Sequence, residues 1–136
     1  MKKIFPQIVT IVLLSFSCEN TNDDPYAICT EFDGTDRIML DLIDEVKAKF
    51  SYDKKFLKEF NLEQVYWIQY RDHRLRSLYP KDWNKHYRKN YGKDVFNPCK
   101  CMELNRMTLL RIEELQLFID GGPKEQVDCP SSFNKK

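Results

Sequence analysis

Residues 62–79 form the stretch LEQVYWIQYRDHRLRSLY, which has the pattern of a long helix. Its apolar residues recur with the spacing of a helix. On that helix Gln64, Trp67 and Arg71 lie at positions i, i+3 and i+7 and share one face, with Asp72 on the flank. The Arg71 guanidinium can lie along the Trp67 ring, because the two are one turn apart. This face predicts a helix that packs against another through a polar seam.

The sequence as a whole predicts three long helices, and the stretch 62–79 belongs to the second of them. The first follows Asp36 as a cap, with apolar side chains at Met39, Leu42, Ile43, Val46 and Phe50. The second runs over about 54–79 and ends before Pro80, with an apolar surface of Phe56, Phe60, Val65, Trp67, Ile68 and Leu75. The third covers about 100–119, with Leu104, Met107, Leu110, Leu115 and Phe118 inward.

These elements predict an all-α fold, a small antiparallel three-helix bundle stabilised by disulfides. A short extra helix is expected near 82–90, followed by a loop, within the aromatic and basic segment between Pro80 and Pro98. The sequence DGGP at 120–123 ends the third helix. Little in the pattern favours strands.

The third helix supplies a matching polar face. Thr108, Arg111 and Leu115 lie on one side of it, so crossing with the second helix would bring together an amide, two guanidiniums and a hydroxyl. A buried guanidinium must be paired, and Asp72 or Glu114 can serve as counter-ion. We interpret this set, together with Tyr70, as a structural seam in preference to a binding site.

The N-terminus has the pattern of an export signal. Lys2 and Lys3 precede a short uncharged apolar run over 8–16, which is too short to span a bilayer. Cys18 after Ser17 resembles a bacterial lipoprotein signal, which implies cleavage and acylation of the Cys18 thiol; the alternative is an ordinary cleaved signal. The expected organisation is a signal peptide over 1–17, a tether over 18–27, a helical domain over 28–121 and a tail over 122–136.

Four cysteines remain for an oxidising compartment: Cys29, Cys99, Cys101 and Cys129. An even number predicts two disulfides. A Cys99–Cys101 bond is disfavoured because one intervening residue strains it. Cys29 is therefore expected to pair with one of these two, and Cys129 with the other, so that the bridge anchors the tail.

The sequence motifs and the predicted export argue against catalysis, metal binding and nucleic-acid binding as functions. His73 and His86 lack zinc-like spacing, and no serine elbow, phosphate loop or zinc motif is present. Asp72 and His73 diverge by about 100° on a helix and cannot form an orienting pair. No catalytic residue, metal or cofactor is therefore expected. An exported protein rarely meets nucleic acid, which disfavours that partner.

Two segments resemble the LprI-like lysozyme-inhibitor family of small exported helical bacterial proteins, often lipoproteins. The residues that carry the resemblance are Leu62, Gln64, Trp67, Tyr70, Arg71, Asp72, Cys101, Thr108, Arg111, Glu114 and Leu115. The chain departs from the family pattern at Leu75, where a cysteine is usual, so no disulfide pattern carries over. Val65 and Tyr66 replace the usual small residue. The resemblance implies a helical envelope protein that binds lysozyme.

The expected location is the bacterial cell envelope, with the chain held at a membrane through its lipid anchor alone. The first functional hypothesis is a non-catalytic module that binds lysozyme or another envelope protein. The alternative is a glycan-binding lipoprotein, in which the aromatic and basic loop over 80–98 stacks on sugar rings through Trp83, Tyr87, Tyr91 and Phe96.

Overall fold

Three long helices follow one another in the computed structural model, which describes residues 27–81 and 98–134. They are α1 (Ala27–Lys49), α2 (Lys54–Leu78) and α3 (Pro98–Asp120). Two short 3-10 turns then follow, Lys124–Gln126 and Ser132–Asn134. Every regular element in the described ranges is helical, which confirms the all-α prediction.

The direction of the helices follows from contacts at their ends. Cys29 in the first turn of α1 is bonded to Cys101 in the first turn of α3, with 5.1 Å between their Cα atoms. At the opposite end, Lys49 Nζ donates to the carbonyl oxygens of Phe118 and Ile119 at 2.8 Å each. Helices α1 and α3 therefore run parallel and form the closest pair, while α2 returns antiparallel to both.

Helix α1 begins at Ala27, which corrects the predicted start after Asp36. The buried stripe of this helix extends through its N-terminal third, with Cys29, Phe32 and Thr35 inward. The disulfide holds the first turn, and the Thr35 hydroxyl donates to the Glu31 carbonyl at 3.1 Å. Acidic residues and a glycine made this stretch look like a loop, but its apolar spacing is helical.

Helix α2 has the predicted boundaries to within one residue. Asp53 is its N-cap, because its carboxylate accepts a hydrogen bond from the Phe56 amide at 2.9 Å. The Tyr79 amide donates to the Leu75 carbonyl at 2.8 Å and closes the last turn before Pro80. Local capping signals therefore fix both ends of this helix.

Two apolar clusters form the core, one at each end of the bundle. The larger lies at the α1–α2 turn, where Phe50 and Phe56 have ring centroids 4.2 Å apart and Phe60 lies 5.5 Å from Phe118. Phe32, Leu75 and Leu104 form the smaller cluster near the disulfide. The expected inward residues of α1 are all buried: Met39, Leu42, Ile43, Val46 and Phe50.

Helix α2 packs through a narrower stripe than predicted. Only Phe60 and Leu75 of its residues are buried. Val65 and Ile68, expected in its apolar surface, are exposed, as is Leu110 on α3. Helical spacing in a sequence shows which side of a helix is apolar, but it does not show how much of that side is covered. In the structure, the other helices cover only a narrow part of the apolar side of α2. This leaves open surface between α2 and α3.

The tail turns back at the end of α3. Gly121 and Gly122 have positive φ angles of 96° and 87°, which glycine adopts without steric cost. Phe133 then packs on Phe118, with ring centroids 4.8 Å apart. A Cβ atom on Gly122 would lie 2.6 Å from the Cβ of Phe133, so the turn and the aromatic contact depend on this glycine.

The predicted bridge to Cys129 is wrong. Cys129 has a free, exposed thiol, and Cys101 pairs with Cys29. A helix of the length of α3 spans about 35 Å, and the tail folds at its far end instead of extending back. The predicted signal peptide, Cys18 and the short helix over 82–90 lie outside the described residues.

Candidate functional site

A buried arginine joins α2 to α3. Arg111 has a side chain only 5% exposed, and its Nη2 donates to Glu63 Oε1 at 2.6 Å. Its Nη1 donates to Glu114 Oε2 at 2.8 Å. Glu114 was an expected counter-ion, whereas the sequence interpretation missed Glu63. It lies one turn before Trp67 on the same side of α2, and this i−4 spacing is the signal that could have identified it.

An open groove of about 310 Å³ lies beside this arginine, between α2 and α3. Trp67 and Tyr70 line it from α2. The α3 side consists of Arg106, Met107, Leu110, Arg111 and Glu114. The two motif segments therefore meet at one surface, and Trp67 and Arg111 share it.

Arg71 joins α2 to α1, whereas Arg111 joins α3 to α2. Its guanidinium carbon lies 5.4 Å from the centre of the Trp67 ring, which is the stacking that the sequence predicts. The same guanidinium approaches Asp36 of α1 at 3.9 Å and the adjacent Asp72 at 3.4 Å. Arg71 thus ties α2 to α1, and the two guanidiniums do not form a single seam.

Three polar atoms of the motif residues are buried without a hydrogen-bond partner among the described residues. They are Gln64 Oε1, Thr108 Oγ1 and Arg111 Nε. The Gln64 amide nitrogen donates to its own helix at Phe60 O, 3.3 Å away. The predicted amide and hydroxyl therefore have buried oxygen atoms, and Leu115 is fully buried. They do not bond each other.

A second charged group lies further along the same side of α3. Glu103 accepts from Arg106 at 2.8 and 2.9 Å and from Arg74 of α2 at 3.3 Å. Hydrogen bonds from Arg106 and Arg74 lower the pKa of the Glu103 carboxyl, against the opposing effect of burial. Burial, with a smaller effect from the Glu103 charge, raises the pKa of Tyr79. In Asp36, burial raises the pKa although Arg71 opposes it.

Tyr70 is not part of a buried seam, which corrects its predicted position. Tyr70 is 62% exposed at the rim of the groove. Tyr66, one turn earlier, is 59% exposed but does not line the groove. Since α2 is buried along a narrow stripe, a tyrosine three residues after Trp67 falls on its open edge. Tyr70 is therefore available to a partner.

The predicted glycan-binding residues lie outside the described residues: Trp83, Tyr87, Tyr91 and Phe96. In the described ranges, no group of three or more His, Cys, Asp or Glu side chains is arranged to hold a metal ion. None of the helices described here combines the length and apolar character needed to cross a membrane.

Comparison with known proteins yields no relative. No family model, no curated protein and no solved structure matches this chain. The resemblance to LprI-like proteins therefore depends on the motif residues alone.

Proposed function

We propose that this chain is a non-catalytic protein-binding lipoprotein of the bacterial cell envelope, and that it protects peptidoglycan by inhibiting lysozyme. The observation that carries the proposal is the α2–α3 groove, to which both LprI-like motif segments contribute. The groove is lined by Trp67, Tyr70, Arg111 and the exposed Leu110, among others.

The lining of the groove suits a protein partner. Tryptophan, tyrosine and arginine are enriched at the energetic centres of protein interfaces. At about 310 Å³ the groove is at the small end of ligand sites, and it would accept one or two side chains of a partner. Arg71 stacks on Trp67 and restricts its motion, so little conformational entropy is lost when a partner binds.

Charge and the export signal support the choice of lysozyme. Lysozyme acts on peptidoglycan, and a chain with the Cys18 lipoprotein pattern would be anchored where that attack occurs. Host-type lysozymes are basic, and α1 has a series of exposed acids, namely Glu31, Asp33, Asp41, Asp44 and Glu45. Opposite charge speeds encounter, and this effect weakens as salt rises.

The test is a peptidoglycan lysis assay with lysozyme and the purified full chain at micromolar concentration. We expect stoichiometric protection that weakens at raised salt. Leu110→Arg should weaken it at least tenfold, because a new charge would occupy the groove. Leu109→Arg is the matched control, since Leu109 and Leu110 are 47% and 48% exposed and only Leu110 lines the groove.

Two results would contradict the proposal. Absence of protection by the wild-type chain at micromolar concentration would exclude lysozyme inhibition. Retention of the chain on purified peptidoglycan in the absence of lysozyme, lost on Trp83→Ala, would favour the glycan-binding alternative.

A further inference from the structure

We infer that Glu63 and Glu114, held in place by the buried Arg111, form an acceptor site for a basic side chain of the protein partner. The inference rests on the proposed function, since it names the chemistry by which lysozyme would be recognised. The occupant would be an arginine or lysine on a projecting loop of that partner.

The geometry leaves carboxylate oxygens for such a group. Arg111 donates to Oε1 of Glu63 and to Oε2 of Glu114. The second oxygen of each carboxylate takes no part in these two hydrogen bonds. The Glu63 and Glu114 side chains are 46% and 62% exposed, while that of Arg111 is 5% exposed. A partner therefore meets two carboxylates in front of a guanidinium, and the three groups together have one net negative charge.

Arg111 also holds the two acceptors in a fixed arrangement. A glutamate free on a helix surface loses rotamer freedom when it is bound. Here the two carboxylates are on different helices and are fixed by the same planar guanidinium, so much of that entropy is lost on folding. The Nε atom of Arg111 is buried without a hydrogen-bond partner among the described residues, so the two carboxylates are the groups that pair this buried charge.

The neighbouring groove fits the rest of a basic side chain. The long stems of lysine and arginine pack along apolar surface while the charged head stays at a polar group. Trp67, Tyr70 and Leu110 offer that surface beside Glu114. The positive charge of Arg106 at the same groove is bound to Glu103 at 2.8 Å, which reduces its repulsion of an incoming cation.

The first experiment removes charge while keeping the hydrogen bonds to Arg111. In Glu63→Gln and Glu114→Gln the side-chain carbonyl still accepts from the guanidinium. We expect about tenfold weaker lysozyme inhibition for each, the effect of losing a charge-assisted hydrogen bond, and a larger loss in the double variant. Glu113→Gln is the matched control, because it makes the same charge change on α3 about 100° away and should leave inhibition within about twofold.

The second experiment does not depend on lysozyme. The full chain is titrated with N-acetylarginine methylamide, and the signals of Arg111 Nε–H and the Trp67 indole are followed in proton–nitrogen correlation spectra. We expect saturable shifts in the millimolar range that the neutral N-acetylcitrulline methylamide does not produce. The double glutamine variant should abolish them.

The outcomes separate the two proposals. If wild type fails to inhibit lysozyme but the arginine compound binds as described, the proposed function is wrong and the acceptor site stands. If wild type inhibits and the double variant inhibits equally well, the acceptor site is wrong and the proposed function stands. Equal shifts with the arginine and citrulline compounds, or none with either, also overturn the acceptor site.

Discussion

Arg111 of α3 and Glu63 of α2 form the shortest ion pair between helices in the described part of the chain, at 2.6 Å. The arginine is buried and the glutamate is half-exposed. The pair joins the closely packed α1–α3 unit to α2, which has only two buried residues of its own. This contact, together with the Arg71–Asp36 and Arg74–Glu103 pairs, holds α2 beside the other two helices and so shapes the groove.

Replacing Arg111 should loosen the fold. We expect Arg111→Ala to lower the free energy of unfolding by about 2–3 kcal/mol, because two charge-assisted hydrogen bonds and the packing of a buried stem are lost. Urea unfolding followed by circular dichroism measures this. Arg106→Ala removes an arginine whose side chain is 54% exposed and should cost less than about 1 kcal/mol. Equal losses in the two variants would contradict the assigned role of Arg111.

The Cys29–Cys101 disulfide should be the largest single stabilising feature of the described domain. The two residues are 72 apart in sequence, and in the chain-entropy model a loop of that length corresponds to about 4 kcal/mol. The double variant Cys29→Ser, Cys101→Ser should unfold at a lower urea concentration, and its free energy of unfolding should fall by about that amount. Cys129→Ser should leave the midpoint unchanged, since that thiol is free and exposed. A destabilised Cys129→Ser protein would show that the tail thiol has a structural role.

Two glycines should respond to alanine with opposite signs. Gly122→Ala should destabilise by about 1–2 kcal/mol, because alanine is strained at positive φ and its Cβ would overlap Phe133. Gly34→Ala should stabilise by about 0.5–1 kcal/mol, since the position is within α1 and has no atom within 4 Å of the added Cβ. Thermal unfolding of the two variants measures both. The same sign for both would refute the assigned conformations.

Lowering the pH should reduce the free energy of unfolding, because the Glu103 carboxylate becomes protonated. Its pKa is lowered in the folded chain by Arg106 and Arg74, so its contribution is fully present above the ordinary value of 4.5. That contribution is lost as pH falls through the lower folded value. Asp36 has a raised pKa and acts with the opposite sign. Glu103→Gln should flatten the fall of unfolding free energy below pH 4.5, and an unchanged slope would argue against this effect.

Local signals in the sequence predicted the helices well and their packing less well. The predicted range of about 54–79 agrees with the ends of α2, because capping and proline sterics act within one turn. The early start of α1 was missed, although Cys29, Phe32 and Thr35 continue its buried stripe. The reason is that the glycine and acids of this stretch are also common in loops.

The site could be predicted only in part, because its geometry depends on distances between helices. Trp67, Arg71 and Arg111 were chosen correctly as residues that make tertiary contacts. Their partners depend on how α2 is rotated and how much of its stripe is covered, so Glu63 was missed and Tyr70 was placed inside. The prediction of a bridge to Cys129 was wrong because separation in sequence does not show distance in space. The cysteines of α3 are in its first turn, and the tail with Cys129 folds at the opposite end of that helix.

The most direct test of the α2–α3 groove as the binding surface compares two tyrosines one turn apart. Tyr70 and Tyr66 are exposed to nearly the same extent, and only Tyr70 lines the groove. The measurement is the dissociation constant for lysozyme of Tyr70→Ala and Tyr66→Ala. We expect binding at least tenfold weaker for Tyr70→Ala, as for other tyrosines that carry much of the binding energy of an interface, and unchanged binding for Tyr66→Ala. Equal affinities of the two variants, or a loss confined to Tyr66→Ala, would contradict this prediction.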